Sequence, residues 1–133
     1  MKRILGVGIA ATIALGAGVA TAHNVVFETD MSVFEGAITK GPTGYAFGVA
    51  GSKFNQKCGK RQEVQLRADQ KGADPQVIDE ARTSRNGYFF LQGPFPDGYT
   101  ALFVKLKKKD IGTGDHKHIC SSDSELVDVA PPR

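Results

Sequence analysis

Apolar and polar positions alternate along much of this chain with a period of two. Arg61 to Ala68 places Val64, Leu66 and Ala68 on one face and polar or charged side chains on the other, the pattern of a half-buried strand. Between Tyr99 and Lys107, Leu102, Val104 and Leu106 alternate with Ala101, Phe103, Lys105 and Lys107 in the same way. Shorter β-type runs occur at Val25-Val26-Phe27, Val33-Phe34, Tyr45 to Ala50, Val77 to Ala81, Phe89 to Gln92, Ile119 to Ser121 and Leu126 to Val129. The glycines inside Tyr45 to Ala50 predict a bulge or a close approach of another backbone.

Turn signals punctuate these runs. Gly41-Pro42-Thr43-Gly44 reads as a turn, and Asn86-Gly87 and Asp97-Gly98 pair the residues best able to take φ > 0. Both dipeptides lie within Thr83 to Lys107, where they predict hairpin turns, with the aromatic residues of that stretch chiefly in the core. Short strands, turns every 8 to 12 residues and no run of helical period predict an all-β protein. The expected architecture is a single antiparallel, seven- to eight-stranded, Greek-key-like β-sandwich.

The first residues read differently. Lys2 and Arg3 precede an apolar run from Ile4 to Val19, and Ala20-Thr21-Ala22 supplies small residues at a cleavage position. This is the pattern of a secretory signal peptide over residues 1–22, with cleavage between Ala22 and His23. The run is shorter than the about 20 apolar residues of a membrane span, so stable membrane insertion is not expected after cleavage. The expected location is outside the cell, or the periplasm if an outer membrane is present.

Loss of Lys2 and Arg3 lowers the formal charge from +3 to +1, which removes any general electrostatic case for nucleic acid. The remaining chain suffices for one domain. We divide it into first strands or an extension at 23–44, a sandwich at 45–129 and a frayed end at 130–133.

Cys58 and Cys120 are the only cysteines. In an exported chain such a pair predicts a structural disulfide. Redox or metal-binding thiols would want a close Cys-x-x-Cys or histidines beside both, and Cys58 has none.

Several of these segments resemble a known family. Phe47-Gly48-Val49-Ala50-Gly51-Ser52, Cys58, Arg61 and Val64-Gln65-Leu66 look like the first two strands of carboxypeptidase regulatory-like, or transthyretin-like, domains. Thr83-x-x-Asn86-Gly87-Tyr88-Phe89, Gly98 to Val104, and Cys120 with Ser121-Ser122 are similar to its later turn, Gly-Tyr strand and cysteine strand in secreted bacterial members. The resemblance implies a seven-stranded sandwich used as an accessory, adhesive or binding module. Intradiol dioxygenases share this fold and hold iron with two tyrosines and two histidines, but strand and turn packing accounts for Tyr45, Tyr88 and Tyr99 here.

Candidate chemistry is sparse. Cleavage after Ala22 would give His23 a free α-amine beside its imidazole, the arrangement of secreted copper proteins with a histidine brace. His116 and His118, spaced i and i+2, share a face if extended, and imidazole with amine nitrogens suits Cu(II). Asp110 and Asp115 suggest a calcium loop but supply two carboxylates where calcium takes six to eight oxygens. Lys105, Lys107, Lys108 and Lys109 suggest an anion patch, or protection of an edge strand. Asp79-Glu80 offers two carboxylates, but neighbours on a strand point to opposite faces. Phe54, Tyr88 and Phe95 suggest a sugar platform, although the chain has no tryptophan.

No catalytic set stands out, so the expected function is non-enzymatic and cofactor-free. It is a secreted module binding a protein or carbohydrate partner, in the loops Phe54 to Lys60 and Asp110 to His118. The alternative is a small secreted copper or other metal protein using His23 with His116 or His118.

Overall fold

The computed structural model describes residues 23 to 131, so the expected signal peptide, Ala22 and the last two residues lie outside the described residues. The described residues are all-β and contain no helix. Ten strands form: β1 (His23–Phe27), β2 (Asp30–Thr39), β3 (Thr43–Gly51), β4 (Glu63–Asp69), β5 (Gln76–Arg82), β6 (Tyr88–Pro94), β7 (Ala101–Leu106), β8 (Lys109–Asp110), β9 (His116–Cys120) and β10 (Asp123–Val129).

They build three sheets, ordered β2-β3-β6, β10-β7-β4-β5 and β1-β9-β8. The first two face each other across the core. Sheet β10-β7-β4-β5 contributes Val64, Leu66, Ala68, Leu102, Val104 and Leu106, all fully buried, at the alternate positions that the period of two picks out. The opposing sheet contributes Met31, Phe89 and Leu91 together with the small residues Ala46 and Ala50. Gly44 lies under the Leu102 side chain and Gly48 against the Ser32 backbone and the Phe89 ring. The glycine-alanine spacing of β3 therefore serves close packing, and the bulge falls instead in its partner β2, between Val33 and Glu35.

Aspartates close the seams between the sheets. Asp123 Oδ2 accepts from the Met31 amide at 3.1 Å and Asp128 Oδ2 from the Ile38 amide at 2.8 Å, joining β10 to β2. Asp79 Oδ2 accepts from the Gln92 amide at 2.8 Å, joining β5 to β6. These bonds satisfy edge amides that have no ladder partner.

Three sequence expectations change. Pairing is antiparallel except between β1 and β9, which run parallel. Neither Asn86-Gly87 nor Asp97-Gly98 makes a hairpin, because β5 pairs with β4, β6 with β3, and β7 with β4 and β10. Both turns instead carry the chain from one sheet to the other. Gly87 takes φ 92°, and a side chain there would strike the Ala50 carbonyl, so glycine is required by conformation and by space. Lys105 and Lys107 do not guard an edge, since β7 is an interior strand flanked by β4 and β10.

A buried polar hub and the disulfide close one end of the sandwich. Arg61 takes φ 54°, a left-handed value unusual for a residue with a side chain, immediately before buried Gln62. Gln62 Oε1 accepts from the Gly59 amide, and its Nε2 donates to the carbonyls of Lys107 at 2.7 Å and Ser121 at 3.3 Å. Buried Thr83 donates from Oγ1 to the Gly59 carbonyl and accepts there from the Gln62 amide. Cys58 and Cys120 form the expected disulfide, which anchors β9 and its small sheet to this end. A bond of this kind suits an oxidising compartment.

Candidate functional site

The outer faces of the two main sheets differ in chemistry. On β2-β3-β6 the outward positions bring Phe34, Phe47 and Phe90 into one row across the strands, with 56, 40 and 57% of their surface exposed. Phe47 is in register with Phe90, and the bulge in β2 turns Phe34 toward Phe47, with ring centres 5.6 Å apart and planes at 72°. Val49 and exposed Tyr88, register partners, extend the row on one side. On the other side Tyr45 donates from Oη to Glu35 Oε2 at 3.1 Å. That hydrogen bond to the carboxylate raises the Tyr45 pKa above the ordinary tyrosine value, with partial burial and the Glu35 charge acting in the same direction.

The three strands of this sheet contain no lysine, arginine or histidine, in a chain with 17 lysines and arginines. Their only charged residues are Asp30 and Glu35. The face is therefore apolar and aromatic with an acidic margin.

The opposite outer face carries Glu63, Gln65, Arg67 and Lys105 from β4 and β7, with Glu80 and Arg82 from β5. Glu63 and Glu80, on the neighbouring strands β4 and β5, titrate as a pair. The hydrogen bond to Glu80 holds Glu63 above the ordinary carboxylate value, and the same bond, with the Gln65 amide, holds Glu80 below it. Glu80 thus belongs to this face, while Asp79 is spent on the seam to β6, so the two do not converge on one point.

The other sequence candidates take separate places. Of the suggested sugar platform, Tyr88 and Phe54 are exposed, but Phe95 is buried at the sandwich end away from the disulfide. There it lines an open cleft of about 700 Å³ with Pro42, Pro96, Tyr99, Ala130 and Pro131. The run Lys105 to Lys109 is not one patch, because Lys109 folds back and donates from Nζ to the Lys60 carbonyl at 2.6 Å. Burial lowers its pKa, and the nearby charges of Arg82, Arg61 and Lys57 lower it further. Asp110 Oδ1 accepts from the Gly112 amide at 3.0 Å, so this carboxylate serves the turn before β9.

His116 and His118 lie on β9, not in a loop. Their ring centres are 6.1 Å apart, and the ring centres of Phe27 and His118 are 5.8 Å apart with planes at 82°. The backbone of residue 23 is in register with His116. Among the described residues, no group of three His, Cys, Asp or Glu side chains could hold a metal ion. No described helix is long and apolar enough to cross a membrane. The loop around Cys58 and strand β9 are joined by the disulfide, and the Lys109–Lys60 bond ties the same loop to β8, as expected if the cysteines pair.

Sequence reasoning missed the aromatic face. The signal was present in Tyr88-Phe89-Phe90-Leu91, where both parities of a strand are apolar, so that one face must be apolar and outward. It was present again in three strands free of cations. No protein-family model, curated protein or solved structure matches this chain.

Proposed function

We propose that this chain is a secreted, non-enzymatic β-sandwich module that docks an extracytoplasmic protein on the outer face of β2-β3-β6. The observation that carries the reading is the row Phe34, Phe47 and Phe90 on a sheet face without a single cation. Contiguous exposed aromatic surface marks interaction sites, and aromatic residues are enriched at protein interfaces. The edge-to-face setting of Phe34 and Phe47 favours a protein over a glycan, because it offers clefts for apolar side chains in place of coplanar rings for a flat sugar. Asp30 and Glu35 at the margin favour a partner with a basic rim.

Export rests on the signal-like residues 1–22 and on the disulfide. Assignment of the two facing sheets to the Greek-key-like, transthyretin-like class rests on the resemblance of the turn and strand motifs and is part of the same proposal.

The test is site-specific photocrosslinking in the native host. A photoreactive phenylalanine analogue at position 90 is expected to yield a covalent adduct with one other protein. The adduct should disappear with Phe34→Ser or Phe47→Ser and should not form from position 105 on the opposite face. No adduct at position 90, equal labelling from position 105, or capture only of a glycan or of a second copy of the chain would overturn the reading.

A further inference from the structure

We propose that the amino terminus created by cleavage before His23 forms, with His116 and His118, an all-nitrogen site for Cu(II). The inference rests on the export proposed above and is independent of the aromatic face.

Register brings the backbone of residue 23 beside the strand that carries His116 and His118. In the parallel pairing of β1 with β9, residue 23 is the register partner of His116. Its backbone nitrogen therefore lies about one strand spacing, roughly 4.8 Å, from that strand. His116 and His118 are two apart on β9 and project to the same side. An ion bound at about 2.0 Å from a ring nitrogen sits roughly 3.2 Å from the ring centre, so two imidazoles share one ion only if their centres lie within roughly 6.4 Å. The centres of His116 and His118 are 6.1 Å apart, with planes at 62°.

The strand that carries the imidazoles is held at both edges and at its end. The Ile111 amide donates to the His118 carbonyl at 2.7 Å, and the Ser121 amide to the Phe27 carbonyl at 2.9 Å. The Gly112 α-carbon packs directly on the His116 and His118 backbone, where any side chain would collide. Phe27 abuts the His118 ring, and Cys120 fixes the end of the strand through the disulfide. Preorganisation of this kind lowers the cost of collecting ligands.

The chemistry selects the ion and the moment of loading. By covalent structure alone, an amino-terminal histidine offers its amine and imidazole in one six-membered chelate ring. With two further imidazoles the donors are neutral nitrogens, a set that suits tetragonal Cu(II), which also stands highest in the divalent affinity series. The described side chains contain no sufficient cluster by themselves. Before cleavage the amine is a peptide nitrogen and cannot serve as an amine donor. The uncleaved precursor would thus lack the site, and metal would be acquired only after export.

The experiment uses the exported protein. Intact mass and terminal sequencing first establish whether the chain begins at His23. Cu(II) is then titrated against a competing chelator, and the nitrogen couplings in the electron paramagnetic resonance spectrum of the wild-type complex are counted. Expected are one equivalent of Cu(II) and couplings from at least three nitrogens. His116→Ala, His118→Asn, and a chain whose His23 α-amine is acetylated should each weaken binding by about tenfold or more. Circular dichroism checks that each variant is folded, and the coupling count stands even if one is not. A terminus elsewhere than His23, binding unchanged in both histidine variants, or couplings from only the terminal residue would overturn the proposal. The photocrosslink from position 90 should be unaffected throughout.

Discussion

Replacing both Cys58 and Cys120 by alanine tests how far a single covalent link supports this fold. The bond closes a loop spanning a sequence separation of 62 residues. Loop-closure entropy for that span corresponds to about 4 kcal/mol at 25 °C, gained by restricting the unfolded chain. Both sulfurs are fully buried, so their deletion adds a smaller packing loss of the same sign. Against the roughly 5–15 kcal/mol of a typical domain, the variant should lose a large share of its stability. Urea unfolding followed by far-ultraviolet circular dichroism measures this, with tyrosine fluorescence as second probe because the chain has no tryptophan. The unfolded variant is less constrained and exposes more surface, so the denaturant slope should increase as the midpoint falls. Hydrogen exchange should speed up first at the amides of β9, the strand the bond anchors. A loss below about 1 kcal/mol with an unchanged slope would refute the argument, because the link would then be restraining a chain already held by other contacts.

Two further outcomes follow from polar groups. Gln62→Leu removes one acceptor and one two-bond donor from the buried hub, stranding the Gly59 amide and the Lys107 carbonyl. It should cost about 2–4 kcal/mol by urea unfolding, and Gln62→Glu should cost at least as much because it buries a charge. In the Glu63–Glu80 pair the raised pKa of Glu63 favours the folded state below the ordinary carboxylate value, and that contribution is lost as pH rises through the folded pKa. The lowered pKa of Glu80 acts oppositely, contributing above the ordinary value and losing effect as pH falls through its folded pKa. Glu63→Gln keeps a donor for Glu80 without a titrating proton. Its urea midpoint should exceed wild type at pH 7 and approach it near pH 4, and a difference that does not vary with pH would contradict the paired titration.

The strands were legible where one face is polar. Val64, Leu66 and Ala68 against Gln65 and Arg67, and Leu102, Val104 and Leu106 against Phe103 and Lys105, declare their inward sides by alternation alone. The disulfide was legible because two cysteines leave one pairing. Strand partnership was not. Asn86-Gly87 has the chemistry of a tight turn, yet a dipeptide cannot state whether the next strand joins the same sheet or the opposite one. Gly87 is fixed by the Ala50 carbonyl, contributed by a strand far away in sequence. For the same reason the aromatic face was hidden: Phe89 and Phe90 are equally apolar, and only the β3 partner decides that Phe89 is buried and Phe90 exposed. His116 and His118 read as a polar loop because their strand is made by β1 and β8 on either side of it.

The parallel pairing of β1 with β9 also has a consequence for the order of assembly. Residue 23 leads the described chain, but its partner His116 follows only after most of the domain has been made. In a chain synthesised from its amino end, β1 is made long before any strand exists that can receive it. Contacts this distant in sequence form slowly, after the local hairpins. β1 therefore joins its sheet only once β9 is made, among the last pairings of the domain to form. The first described strand is thus placed by one of the last.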